Sequence, residues 1–473
     1  MPIQRKQQVL GAIETSEGEA ATISGADAVL AYEPSLSDSV EQVESVPSGP
    51  SLSRADTPVG RQSRQLTFQT DWRGSGDTTS PPVDAPEWDR YVRGCGFRRV
   101  VLKAVTVGSP TGTGFQVGEI LSSGSGANRG VIVGLFTGGT ALAPRLTAAG
   151  VIVVAMIAGT FTAASVTGES SATTATASAV ADYAGVCYQP TSRKLLNVTT
   201  GTWTGTAPAA VGEFVTVESG GVAVGSLQII TDNGSMEDID AALVFGPVAD
   251  GYTLRSAAGG TAVIGAPPTQ IETPSLTLQH NLDGLQTQVL GGRGDFTLGA
   301  EVGQAAKFAW TFSGDIGPQV AALPLATGAL TTIKPPRYVN AICAYGLGAT
   351  MLRLPSKKFD YSNSGTVAPN LDANRPGGAT GSNITDRDPQ IVCTVDRVHT
   401  AFDWKAARDV GTNVRVAQLL GTTKGNIVGI VIPVGQVTEV ADGEQDGIAT
   451  NDVTVKARRI LEAGDDEVYL VQL

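Results

Sequence analysis

One strand, loop and helix unit occurs twice in this chain, and that repetition constrains the fold more than any other feature. In RQLTFQTDW (64–72), Leu66, Phe68 and Thr70 alternate with Gln65, Thr67 and Gln69, the period of a strand with one face buried. In PEWDRYVRGCGF (86–97), Pro86 suits a first helical turn. Trp88, Tyr91, Val92 and Cys95 fall at i, i+3, i+4 and i+7, so a short helix there carries one apolar stripe. Gly94 and Gly96 stop it.

DPQIVCTVDRVHTAFDWKAARDVGTNVRVAQLL (388–420) has the same layout. Val392 and Thr394 alternate with Cys393 and Val395, Thr400 can cap a helix carrying Phe402, Trp404 and Ala407, and Gly411 ends it. Trp88, Tyr91, Val92 and Trp404 are therefore expected as the core anchors of two matching helices. Downstream, each copy continues with a strand, a hairpin with a polar-Gly tip (Asp283-Gly284 and Lys424-Gly425) and a VGQ segment (Val302 to Gln304 and Val434 to Gln436). Upstream, the candidate strands ADAVLAY (26–32) and MLRLPSKKFDY (351–361) are each followed by a long polar loop, Glu33 to Ser63 and Ser362 to Asp388. Residues 14–25 read as an arm or short helix before a turn. The whole is an internal duplication.

RRVVLKAVTVG (98–108) reads as a strand, after which the composition turns poor in charge and rich in Gly, Thr, Ala and Ser. VGEILSSGSGANRGVIVG (117–134) aligns without gaps with VGEFVTVESGGVAVGSLQ (211–228), and a weaker copy lies at 161–180. This predicts an inserted module of two or three small β units over 109–268. It would divide the chain into a first domain of 1–108 with 269–330, and a second of 331–473. Each remainder has small-domain size.

The formal net charge is −12, which argues against gripping nucleic-acid phosphates but not against letting nucleic acid pass. Fifty-eight glycines, few charges and 5% aromatic residues suit a mainly β chain rich in turns. Cys95, Cys187, Cys343 and Cys393 show no CxxC spacing and are expected as buried free thiols. The start of the chain lacks the apolar core of a signal peptide, and GVIVVAMIA (150–158) is too short to span a bilayer, so a buried strand and synthesis in a cytoplasm without membrane insertion are expected.

Motifs for chemistry are weak. His280 and His399 lack a nucleophile or a second histidine at metal spacing and read as surface or interface residues. Arg293-Gly294-Asp295 reads as a chance turn. Glu237, Asp238 and Asp240 lack calcium-loop spacing and read as a solvated turn. Asp442, Glu444 and Asp446 alternate and read as an acidic rim on one strand face. No GxxxxGK[ST] motif occurs, and no pair of carboxylates suggests a glycosidase. No enzyme activity, cofactor or metal is expected.

Three runs carry a family resemblance: LTFQTDWRGSG…PPV…PEWDRYVRGCGF (66–97), LDGLQTQVLGGRGDFTLGAEVGQAAKFAWTFSG (282–314), and ITDRDPQIVCTVD with the closing DEVYLVQL (384–396, 466–473). In their order they resemble the major tail tube proteins of long-tailed, siphovirus-type bacteriophages. The resemblance implies two tandem tail-tube domains, each a β-sandwich or barrel with one flanking helix. It implies a structural virion protein of the tail, assembled in the host cytoplasm, whose stacked rings conduct DNA from capsid to host without binding it specifically. Two domains in tandem imply trimeric, pseudo-hexameric rings, with a hexamer as the alternative. Tail terminator, distal tail and tape measure proteins are the implied partners. The loops from Glu33 to Ser63 and from Ser356 to Asp388 would contact the next ring. The 109–268 insert departs from the family pattern and is expected as an exterior decoration. The alternative is a carbohydrate-binding tail adhesin that uses this insert.

Overall fold

The protein was studied as a computed structural model, which describes residues 7–42, 58–79, 85–123, 126, 128–138, 141–192, 194–204, 213–232, 238–245, 248–266, 269–322, 324, 332–375, 377–397, 402–462 and 464–473. It is mainly β, as the composition implies. Its described helices are α1 (Asp89–Gly94), α2 (Trp404–Val410) and a single 3-10 turn at Gly25–Asp27.

The largest sheet has seventeen strands. In chain order they are β1 (Gln7–Ile13), β2 (Ala28–Val29), β3 (Ala31–Gln42), β4 (Val59–Asp71), β5 (Phe97–Val100), β6 (Val186–Pro190), β7 (Leu276–Leu282), β8 (Leu285–Glu301) and β9 (Lys307–Ala321). There follow β10 (Ile342–Leu347), β11 (Thr350–Leu352), β12 (Ser356–Ser362), β13 (Gln390–Asp396), β14 (Asn413–Leu420), β15 (Val428–Gln445), β16 (Ile448–Ala457) and β17 (Tyr469–Gln472). Antiparallel pairing runs β2-β1-β7-β8-β9-β4-β3 in the first series. In the second it runs β11-β10-β14-β15-β16-β13-β12, the same order strand for strand. The two series meet where β8 pairs with β12. A side ribbon, β5-β6-β17, joins β15.

Two closed barrels interrupt the first series, one between β5 and β6 and one between β6 and β7. In the first, Leu102–Val107 pairs with Gly150–Ala158 and Thr174–Asp182, and the ring is completed through Ser165–Gly168, Ile120–Ser123 and Asn128–Thr137. In the second, Leu195–Thr199, Asp238–Phe245, Val222–Asp232, Phe214–Ser219, Thr253–Arg255 and Thr261–Val263 follow the same cyclic order, closed by the bridges Thr200↔Ile264 and Thr204↔Thr261. The aligned segments 117–134 and 211–228 form the corresponding hairpin of each barrel.

Three apolar cores follow from these layers. One runs through both series of the large sheet and takes in Trp88, Tyr91, Val92, Phe296, Phe359 and Trp404. A second fills the first barrel and continues onto the other face of β10, β14, β15 and β17, through Ala344, Leu419, Val431 and Val471. The second barrel has a core of its own, with Val198, Val217, Leu227 and Leu254.

Several local expectations are corrected. The strand expected over 98–108 breaks at Val101, which is exposed: β5 stays in the large sheet and Leu102–Val107 enters the first barrel. The region 109–268 is thus two barrels separated by β6, and the first begins ahead of Ser109. Glu33 lies in β3, and Ser63 pairs with Ser39 across a long hairpin whose middle, 43–57, falls outside the described residues. Ser356 opens β12, and the loop expected up to Asp388 contains the hairpin Thr366–Leu371 with Ala379–Asp386. β3 stands largely in solvent, and the second hairpin carries few apolar residues, so no apolar alternation marked either segment. The VGQ match does not hold in space: Val302–Gln304 lies in the turn between β8 and β9, whereas Val434–Gln436 lies inside β15. The counterpart turn is Asp446-Gly447.

Candidate functional site

An eight-stranded run, β3-β4-β9-β8-β12-β13-β16-β15, crosses from one series to the other. Period-two alternation gives it two chemically different faces. Leu66, Phe68, Phe308, Trp310, Ile391 and Val453 point into the core. Gln65, Thr67, Thr311, Thr297, Ser362 and Thr454 point the other way and are exposed or half-buried. The run ends in two edges. Among the described residues, β3 pairs only with β4, and residues 437–445 of β15 pair only with β16.

At the joint, β8 and β12 pair from Thr297↔Ser362 to Glu301↔Lys358. Gly299 gives close quarters there: a Cβ would come within 2.5 Å of Asp360 Oδ1 and displace that exposed side chain. The hairpin at 366–386 folds back over the first series: Arg293 donates to the Ser382 carbonyl, and Ser382 Oγ donates to the Ser313 carbonyl at 2.8 Å. Arg293, 1% exposed, also pairs with Glu17 at 2.6 Å. Burial would raise the Glu17 carboxyl, but Arg293 and Lys194 outweigh it and hold the group below its ordinary range.

These charges line a cleft of about 1330 Å³ between the second barrel, that hairpin and residues 457–467. Several of its ions are paired: Lys194 with Glu17, Arg387 with Asp465 and Glu467, and Glu272 with the neighbouring Arg98. These ion pairs join the elements that wall the cleft, and the hydroxyls of Thr191 and Ser192 donate to Glu272 at 2.6 Å and to Asp465 at 2.8 Å.

The sequence-derived residues are placed as follows. Trp88 is buried, donates its indole N–H to the Arg73 carbonyl at 2.8 Å and packs on Tyr188 and Phe308. Tyr91 and Val92 are fully buried beside it. Trp404 packs edge-on to Phe402 and Tyr345. Asp403, not Thr400, caps α2, accepting from the N–H groups of Lys405 and Ala406; Thr400 lies outside the described residues. Gly411 ends that helix at φ 72°. Asp442 and Glu444 are exposed on β15, but Asp446 leaves the strand in the following turn at φ 54°. Lys405 bonds Asp442 and keeps its carboxyl below the usual range.

Arg293-Gly294-Asp295 is not a turn: it lies inside β8, with Asp295 bonded to Asn363. Asp238 and Asp240 belong to a barrel strand and not to a solvated turn, and Glu237 lies outside the described residues. His280 is a buried strand residue bonded to Gln7, and burial lowers its pKa; His399 lies outside the described residues. Cys95, Cys187 and Cys393 are buried free thiols, the last pushed up to about 12 by burial, and Cys343 is half-buried. No group of three or more His, Cys, Asp or Glu suited to a metal occurs among the described residues. No described helix is long and apolar enough to cross a membrane.

The sequence matches no family model, and no curated protein matches it.

Proposed function

We propose that this chain is a structural subunit that polymerises as stacked rings into the tail tube of a long-tailed bacteriophage, the conduit for DNA from capsid to host. The observation that carries the reading is the eight-stranded run with one core face, one polar face and two unpaired edges. Unpaired edges invite further strands, and a ring removes them. The common strand order of the two series supports two tandem tail-tube domains, each with one helix on its flank, and so a ring of three copies with pseudo-sixfold symmetry.

The polar face suits a lumen. Its acids, among them Asp295, Glu301, Asp360, Asp396, Glu439 and Asp452, outnumber Lys307, Lys358 and Lys456 among Ser, Thr and Gln, which would repel phosphates weakly and capture none. With about 4.8 Å between strands and a tilt near 40°, the strands of three copies would enclose a space roughly 48 Å across between backbones. The barrels branch from the side ribbon, the first also packing on β10, β14, β15 and β17, and are read as decoration.

Negative-stain electron microscopy with rotational averaging tests this. Hollow tubes with three subunits per ring are expected. Six full-length subunits per ring would keep the tube and overturn the tandem argument. Monodisperse small particles at high concentration would overturn the tube.

A further inference from the structure

The joint between the two series is also a template for the contact between copies. By position in the shared strand order, β15 is the counterpart of β8, and β3 is the counterpart of β12. The core rows make the correspondence residue by residue. Trp310 of β9 lies between Phe68 of β4 and Phe296 of β8. Val453 of β16 lies between Cys393 of β13 and Val440 of β15. Laying one row on the other puts Val440 in the place of Phe296, hence Ala441 in that of Thr297 and Gly443 in that of Gly299. Likewise Leu36 stands opposite Leu66 as Tyr361 stands opposite Ile391, so Ser37 takes the place of Ser362 and Ser35 that of Asp360.

Thr297 pairs with Ser362, and Gly299 with Asp360. We infer that β3 of one copy adds antiparallel to residues 437–445 of β15 in the next copy, with Ser37 opposite Ala441 and Ser35 opposite Gly443. The inference rests on the reading of the chain as a self-assembling subunit and names the edges and register that the reading leaves open. Both edges are unpaired among the described residues.

A second observation points the same way. Gly299 leaves room for the β12 side chain across from it, because a Cβ there would meet Asp360 Oδ1 at 2.5 Å. Gly443 stands at the matching position, yet within one chain a Cβ on it would meet only Thr450 Oγ1, at 3.0 Å. Beyond that neighbouring hydroxyl the single chain places no other atom within 4 Å, so the glycine leaves this edge room for an incoming strand. Each copy supplies one edge of each kind, so the contact is head-to-tail, and on the ring reading it closes after a whole number of copies.

The test is the double variant Ser37→Cys with Ala441→Cys, assembled, mildly oxidised and run on a non-reducing gel. Facing residues of antiparallel strands have Cα atoms about 4.5–5.5 Å apart, inside the range that a disulfide spans. The expected result is loss of monomer into covalent dimer and trimer with nothing larger, while Ser39→Cys with Ala441→Cys, two residues out of register, stays mostly monomeric. Hydrogen exchange on the unmodified protein is the companion measurement, with residues 35–37 and 441–443 expected to gain protection on assembly. Stronger cross-linking of the out-of-register pair overturns the register. Tubes that form with neither cross-link nor protection overturn the choice of edges and leave the tube reading intact. Absence of any assembly overturns both.

Discussion

Arg293 is the most informative single residue, because its burial reverses the meaning of the tripeptide it begins. Its guanidinium holds the Thr273 and Ser382 carbonyls and the Glu17 carboxylate, tying the N-terminal arm and the 366–386 hairpin to β8. Glu17→Gln leaves that buried cation without its counter-charge and is expected to cost about 2 kcal/mol in urea unfolding at neutral pH. The pH dependence has a definite sign. The folded Glu17 carboxyl lies below its ordinary value of 4.5, so its contribution is present above that value and is lost as pH falls through the lowered pKa. The gap between wild type and the Gln variant should therefore narrow in melts recorded at increasingly acid pH below 4.5. A constant gap would show that the charge is not what Glu17 contributes. The burial of Arg293 was not legible in the sequence, since its partners lie far away along the chain.

At the scale of elements, the two helices separate what local pattern reveals from what it hides. The α1 stripe was legible because helix period, first-turn proline and stop glycines all lie within one short segment. Trp88 is buried against Tyr188 and Phe308, and Trp88→Ala is expected to cost about 3–5 kcal/mol in chemical unfolding. The start of α2 was misplaced at Thr400, because Thr and Asp are both good caps and only the backbone decides between them. Asp403→Ala should cost about 1 kcal/mol in a thermal melt. In β14 and β15 the runs RVAQLL and VGIVIP are buried on both faces, the first core on one side and the first barrel on the other. A continuous apolar run signals such a strand but does not say what covers its second face.

For the whole molecule, the cores predict how the barrels separate from the rest. The second barrel has its own core, so excising 195–272 should leave a soluble chain that still assembles. The first barrel shares its core with β10, β14, β15 and β17, so removing 102–182 would bare Ala344, Leu419, Val431 and Val471, and an insoluble product is expected. Soluble yield and electron microscopy of the two deletions check both outcomes, and equal behaviour would mean that the shared core does not bind the first barrel to the sheet. Assembly should also depend on salt. β3 carries Glu33, Asp38 and Glu41, and residues 437–445 carry Glu439, Asp442 and Glu444, with no basic residue in either segment. Bringing these edges together is opposed by like charge, so light scattering should show faster polymerisation as ionic strength rises.

The sequence alone determined the mainly β character, the doubled helix unit with its two tryptophans, the repeat inside the insert and the absence of a recognisable catalytic motif. Each is written in local periodicity or in direct self-similarity, which short stretches of side chains carry. The tertiary structure decided the rest: that the long polar segments are hairpins, that the insert is two closed barrels on either side of β6, that Arg293 is buried, and that β3 and the end of β15 are left as free edges among the described residues. Strand partners are chosen by backbone groups that nearly every residue possesses, so pairing across hundreds of residues leaves little trace in composition. A glycine such as Gly443 acquires its meaning only when its counterpart, Gly299, is seen making room for a strand.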